Sequence, residues 1–89
     1  MKDVFIKNTD KIEYEIIDDE TLIFNLSTNS FYKLNKLGTF IWKNLDGTKN
    51  IEKIIELVYL EFDESKEKIK LDVITFITEL NKKKIILEN

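Results

Sequence analysis

A strand changes directly into a helix within residues 31–42, whose sequence is FYKLNKLGTFIW. Up to Leu34 the side chains alternate in kind, which is the period of a β-strand, and from Leu37 the apolar residues recur at helical spacing. Asn35 stands at the junction, where its side chain can accept a hydrogen bond from an unpaired N–H of the first helical turn. The sequence therefore predicts a strand that feeds a helix without an intervening loop.

The composition of the chain excludes several kinds of chemistry. Its 89 residues include no cysteine, histidine, proline or arginine, so lysine is the only cation. Disulfides, Cys/His metal centres and histidine-activated nucleophiles are therefore ruled out, and no cofactor or metal is expected. The net charge of −3 and the lack of a signal peptide or a long apolar run indicate a cytoplasmic protein that forms a single domain over residues 1–89.

The hydrophobic pattern predicts strands before residue 35 and helices after it. The strands alternate apolar and polar side chains or are short apolar runs, at about residues 4–6, 12–16, 21–26 and 30–34. Three amphipathic helices follow, at about residues 36–45, 51–62 and 66–83. Gly47 is expected to end the first helix in a left-handed conformation, and the apolar tail 85–87 is expected to pack or to pair as a strand. A three-stranded antiparallel meander at 12–34, followed by three helices, is an α+β fold.

Residues 25–35, NLSTNSFYKLN, are followed by Gly38, by Ile41-Trp42 and by Leu45-Asp46-Gly47. This arrangement resembles the PqqD-like proteins, and the likeness extends over about residues 12–87. Asn29 stands where the family pattern has a turn glycine, and asparagine is the residue that best tolerates positive φ after glycine.

The resemblance implies a winged helix-turn-helix-like fold and a non-catalytic protein. Such a protein binds the leader segment of a ribosomally made precursor peptide as a strand added to the third strand, beside the third helix. Acting as a chaperone, it then presents the peptide to a modifying enzyme such as a radical-SAM maturase, a leader peptidase or a cyclase. With nothing appended to it, the chain is expected to be a stand-alone form, as a monomer or a weak homodimer.

Two groups of residues are predicted to contact the leader. The strand at 30–34 has no later strand to pair with except the tail, so its far edge can accept an extended peptide. On the third helix, the apolar residues Leu71 and Ile74 flank the core stripe, bordered by polar side chains. The candidate peptide-binding residues are Ser30, Phe31, Tyr32, Lys33, Leu34, Lys70, Leu71, Ile74 and Thr78. Without the resemblance, a helix buried on two sides is the more common explanation of an apolar pair such as Leu71 and Ile74.

Other classes of function remain as alternatives. A DNA-binding winged helix has the same elements, but the chain lacks arginine and glutamine, and residues 63–68, DESKEK, are mixed in sign. No nucleic-acid or membrane partner is therefore expected. The carboxylates at 18–20 and 63–64 lie in predicted turns, where solvated acids are ordinary, so catalysis is disfavoured. A dimerisation module is a further alternative, because the edge strand could pair with its own copy.

Overall fold

Residues 3–89, which the computed structural model describes, form an α+β fold with antiparallel sheets and three helices. The strands are β1 (Val4–Lys7), β2 (Ile12–Ile17), β3 (Glu20–Asn25), β4 (Ser30–Leu34), β5 (Asp46–Asn50) and β6 (Ile86–Glu88). The helices are α1 (Lys36–Lys43), α2 (Ile51–Glu61) and α3 (Lys66–Lys82). The predicted α+β class is confirmed, although the strands form two three-stranded sheets instead of one. The predicted domain begins at residue 1, and residues 1 and 2 lie outside the described part.

The first sheet is the predicted meander, in the order β2-β3-β4. Its register sets Ile23 of β3 opposite Tyr14 on one side and Tyr32 on the other, so these side chains share the face that packs against the helices. In the loop that joins β3 to β4, Asn29 has a φ of 58°, the left-handed conformation that the sequence predicted. The meander leaves β2 at one edge of the sheet and β4 at the other.

The second sheet has the strand order β5-β1-β6. Because β5 belongs to it, the first helix ends earlier than the sequence predicted. Helix α1 ends at Lys43, and residues 46–50 continue as a strand that pairs with β1. Gly47 does have a positive φ, of 84°, but it lies within β5 and does not cap α1. A Cβ atom at Gly47 would lie 2.6 Å from Cγ2 of Ile6, so glycine allows β1 to approach closely. The apolar tail forms β6 and pairs with β1, which is one of the two roles that the sequence predicted for it.

Trp42 connects the two sheets through the core. Its side chain is fully buried, and its ring packs edge-to-face against Tyr14 of the first sheet at a centroid distance of 5.2 Å. On the side of the second sheet, the Lys7 amine lies 5.2 Å from the Trp42 ring centroid and donates a hydrogen bond to the carbonyl oxygen of Leu45, at 3.0 Å. Burial lowers the pKa of Lys7.

Helices α2 and α3 close the core with one apolar stripe each. Asn50 and Ser65 cap their N-termini by accepting hydrogen bonds from the third helical N–H group. The buried residues of these helices are Ile54, Ile55, Val58, Ile69, Val73, Ile77 and Leu80. Among the described residues, no helix has both the length and the apolar character needed to cross a bilayer.

A buried pair of threonines ties β3 to α1. The hydroxyl oxygens of Thr21 and Thr39 lie 2.8 Å apart, and both residues are almost completely buried. A buried hydroxyl that loses its partner carries its full desolvation cost. This hydrogen bond therefore holds the meander against the first helix.

We predict that Thr21→Val lowers the free energy of unfolding by about 1–3 kcal/mol, because the buried Thr39 hydroxyl then keeps only a long contact of 3.5 Å with the carbonyl oxygen of Leu34. Chemical denaturation followed by circular dichroism measures the change. The double variant Thr21→Val/Thr39→Val should lose less stability than the sum of the two single variants. Additivity within about 0.5 kcal/mol would mean that the two hydroxyls do not interact.

Candidate functional site

A groove of about 620 Å³ runs between β4 and α3. Its walls and floor are formed by Lys33, Leu34, Asn35, Leu37, Gly38, Ile41, Leu71, Asp72, Thr75, Phe76 and Glu79. The floor is apolar, and the polar side chains lie toward the rim. We call this feature the β4–α3 groove. No strand within residues 3–89 pairs with the far side of β4, so β4 is an open edge of the sheet, and its last two residues, Lys33 and Leu34, line the groove.

The floor of the groove is set by the junction between β4 and α1. The Asn35 side chain accepts a hydrogen bond from the N–H of Gly38 at 2.9 Å, which caps α1 as the sequence predicted. A Cβ atom at Gly38 would lie 3.2 Å from Cβ of Leu34 and 3.3 Å from Cε1 of Phe76. The missing side chain at Gly38 therefore lets the Phe76 ring of α3 approach α1 and β4, which closes the bottom of the groove.

The rotation of α3 about its axis decides which side chains face β4. Ile69, Val73, Ile77 and Leu80 are buried in the core, and Phe76 at the edge of this stripe is only partly buried. One helical residue turns the side chain by about 100°. The flank next to Phe76 therefore carries Asp72, Thr75 and Glu79, and these residues line the groove.

The structure brings together only part of the predicted peptide-binding set. Lys33, Leu34 and Leu71 line the groove, while Ser30, Phe31 and Tyr32 belong to the free strand that borders it. The remaining residues, Lys70, Ile74 and Thr78, are not among the residues that line the groove. Sequence reasoning missed the groove residues Asp72, Thr75, Phe76 and Glu79. The sequence pattern places Phe76 in the core stripe of the third helix, and the polar residues Asp72, Thr75 and Glu79 give no apolar signal.

The charged residues of the groove have ion-pair partners within the chain. The ion pairs are Lys68–Asp72 at 2.8 Å, Lys83–Glu79 at 3.8 Å and Lys33–Glu20 at 3.4 Å. Lys68 donates its hydrogen bond to the Asp72 carboxylate, and this bond raises the pKa of Lys68. Because the rim is balanced in charge and the floor is apolar, the groove suits a large apolar side chain better than a charged one.

The two edges of the first sheet differ in how readily they accept another strand. The β2 edge presents Glu13 and Glu15 on its exposed face, and acidic side chains on an edge oppose strand pairing. The β4 edge carries a single charged side chain, Lys33, which is paired with Glu20 at 3.4 Å, and this edge also borders the groove. The β4 edge is therefore the more receptive one.

The site offers binding groups, and the described residues provide no metal-binding cluster. Nowhere in residues 3–89 do three or more carboxylates come close enough together to hold a metal ion. What the site presents is an open strand edge beside an apolar cleft. Such an arrangement binds an extended peptide through backbone hydrogen bonds and one or more side-chain pockets.

A comparison with protein-family models matches residues 20–86 to the model described as coenzyme PQQ synthesis protein D (PqqD). The chain belongs to the PqqD family. The resemblance that the sequence motif indicated is thereby confirmed. Comparison with curated proteins gives no match.

Two solved structures share the fold of this PqqD-family chain. The first is TbiB1 in complex with the TbiA(beta) leader peptide, with 26% sequence identity, a TM-score of 0.79 and coverage of 91% of this chain and 94% of that chain. The second is a lasso peptide synthetase B1 complexed with the leader peptide, with 14% identity, a TM-score of 0.81 and coverage of 93% and 96%. Both likenesses extend over nearly the whole length of each chain.

We predict that Asn35→Ala lowers the free energy of unfolding by about 1 kcal/mol, because the N–H of Gly38 loses its acceptor. Asn35→Ser keeps a capping oxygen and should retain most of this stability. Chemical denaturation gives the stabilities, and amide hydrogen exchange at Gly38 reports the cap directly. Equal stability of the alanine variant and the wild type would mean that Asn35 does not hold the junction.

Proposed function

We propose that this protein binds the leader segment of a ribosomally made precursor peptide as a strand added to β4. The observation that carries the proposal is the free edge of β4 lying alongside an apolar groove. The structural neighbours support it, because both were solved with leader peptides and TbiB1 is 26% identical over 91% of this chain. Backbone pairing supplies affinity for any extended segment, and the groove supplies selectivity.

The geometry of an added strand determines which side chains of the leader enter the groove. Side chains along a strand point alternately to opposite faces of the sheet. Every second leader residue therefore faces α3, where Leu37, Ile41 and Phe76 offer an apolar floor. The leader residue above this floor is a large apolar one, since a charged residue would lose its hydration there.

The proposed contact set revises the one that the sequence suggested. It comprises β4 itself together with the α3 residues Leu71, Asp72, Thr75, Phe76 and Glu79. Lys70, Ile74 and Thr78, which do not line the groove, do not contact the leader in this proposal. They provide matched controls for it.

The protein that this proposal describes is a non-catalytic recognition element. It acts as a peptide chaperone that presents the precursor to a modifying enzyme such as a radical-SAM maturase, a leader peptidase or a cyclase. It works in the cytoplasm, where ribosomal precursors are made, as a single-domain monomer or weak homodimer. The helices α2 and α3 with the meander are a winged helix-turn-helix-like arrangement used for peptide in place of DNA.

Electrostatics disfavour the DNA-binding alternative. The net charge is −3, and the first turn of α3 contains Glu67 between two lysines. One of these, Lys68, is already paired with Asp72 at 2.8 Å. A DNA-binding protein gains most of its affinity from cations that contact phosphates. This helix start offers few cations for that purpose.

We predict that Leu71→Asp weakens leader binding at least about tenfold, because the new carboxylate must be buried against the apolar groove. Ile74→Asp should change the affinity less than about twofold. Leu71 and Ile74 are both apolar, 66% and 39% exposed, and lie on the same helix, but only Leu71 lines the groove. Isothermal titration with the leader segments of precursor peptides encoded beside the gene measures the affinities, and circular dichroism verifies that both variants fold.

Three results would contradict the proposal. Equal losses for the two variants would remove the groove assignment, and a loss for Ile74→Asp alone would move the site to the other flank of α3. If no leader binds while duplex DNA binds with a steep dependence on salt, the protein is a winged-helix regulator instead.

A further inference from the structure

The face of the first sheet that points away from the helices carries an exposed apolar patch. Leu22 and Phe24 lie on β3, and Phe31 of β4 lies directly opposite Phe24. These side chains are 37%, 38% and 67% exposed. They line a shallow depression of about 720 Å³ that also includes Glu13 and Glu15. We call Leu22, Phe24 and Phe31 the outer patch.

The border of the outer patch along β2 is acidic and uncompensated. In the register of the sheet, Glu13 lies opposite Phe24 and Glu15 lies opposite Leu22. None of the ion pairs formed within residues 3–89 includes either glutamate. Two carboxylates on one face of a strand, about 7 Å apart, create a local negative potential. A partner surface that carries lysine or arginine at this border gains from that potential.

The other border of the outer patch is continuous with the proposed leader-binding edge. A strand added to β4 extends the same sheet, so half of its side chains lie next to Phe31 on the outer face. The three side chains of the patch alone expose far less than the roughly 800 Å² per partner that a stable complex buries. The bound leader therefore widens a surface that is small without it.

We propose that the outer patch is the docking surface for the enzyme that acts on the bound leader peptide. The enzyme contacts it through an apolar surface bordered by lysine or arginine. The inference rests on the proposed function, because the leader strand completes the docking surface. Since the leader then adds contacts, it raises the affinity for the enzyme, and by linkage the enzyme raises the affinity for the leader by the same factor.

The test uses the full chain, the leader peptide and the peptide-modifying enzyme or leader peptidase encoded beside the gene. Enzyme binding is measured by biolayer interferometry with and without saturating leader. Phe24→Lys should weaken enzyme binding at least about tenfold and leave leader affinity within about twofold of wild type. The control is Leu60→Lys on α2, where the native leucine is 77% exposed and remote from the sheet, and it should bind the enzyme normally.

A second variant keeps the test decisive if Phe24→Lys folds poorly. Glu13→Lys/Glu15→Lys changes only exposed side chains, and it should weaken enzyme binding by reversing the charge of the border. Unchanged enzyme binding in this variant and in Phe24→Lys would overturn the inference, as would no enzyme binding by the wild type. A concentration-dependent dimer that Phe24→Lys abolishes would assign the patch to a second copy of the chain.

Failure of this inference is distinguishable from failure of the proposed function. Leader affinity is measured separately, in the absence of enzyme, for the wild type and for Leu71→Asp. If the wild type binds no leader, the proposed function fails, and the inference that the leader completes the docking surface fails with it. If leader binding is intact and enzyme binding ignores the outer-patch variants, only the docking inference fails.

Discussion

The passage of β4 into α1 without a loop is the constraint on which the rest of the structure depends. Asn35 holds this junction by capping α1, and it thereby fixes Gly38 within van der Waals reach of Leu34. Because Gly38 has no side chain, Phe76 of α3 approaches the same point and closes the groove floor. The groove floor beside the free strand edge is therefore a consequence of this local geometry.

The elements that the sequence predicted correctly are those with a local cause. Asn29 and Asn35 have side chains suited to a left-handed turn and to a helix N-terminus, and both occupy those positions. Strand β5, in contrast, has the sequence DGTKN, which has no apolar alternation. It is extended because it pairs with β1, about forty positions earlier in the chain. The sequence predicts the left-handed conformation of Gly47, but it does not predict that Ile6 lies too close to leave room for a side chain there.

The candidate site likewise has one part that the sequence predicted and one part that it did not. The free edge of β4 followed from the order of the strands, whereas the wall supplied by α3 depended on how that helix is rotated. Leu71 and Ile74 look equivalent in the sequence, and only the packing of Phe76 beside Gly38 shows which flank faces β4. The groove residues Asp72 and Glu79 are ordinary exposed acids in the sequence and form ion pairs with nearby lysines. No local pattern marks such residues as part of a binding site.

In the function that we propose, β4 is the edge of the first sheet that receives the leader. Amide hydrogen exchange, measured by NMR on the free and the leader-bound protein, tests that claim most directly. Strand addition should protect alternate amides of Ser30–Leu34, because every second residue of an edge strand directs its N–H outward. It should also give intermolecular contacts between β4 and the peptide backbone. New protection along Ile12–Ile17, or on α3 at Lys70, Ile74 and Thr78 with β4 unchanged, would contradict the account.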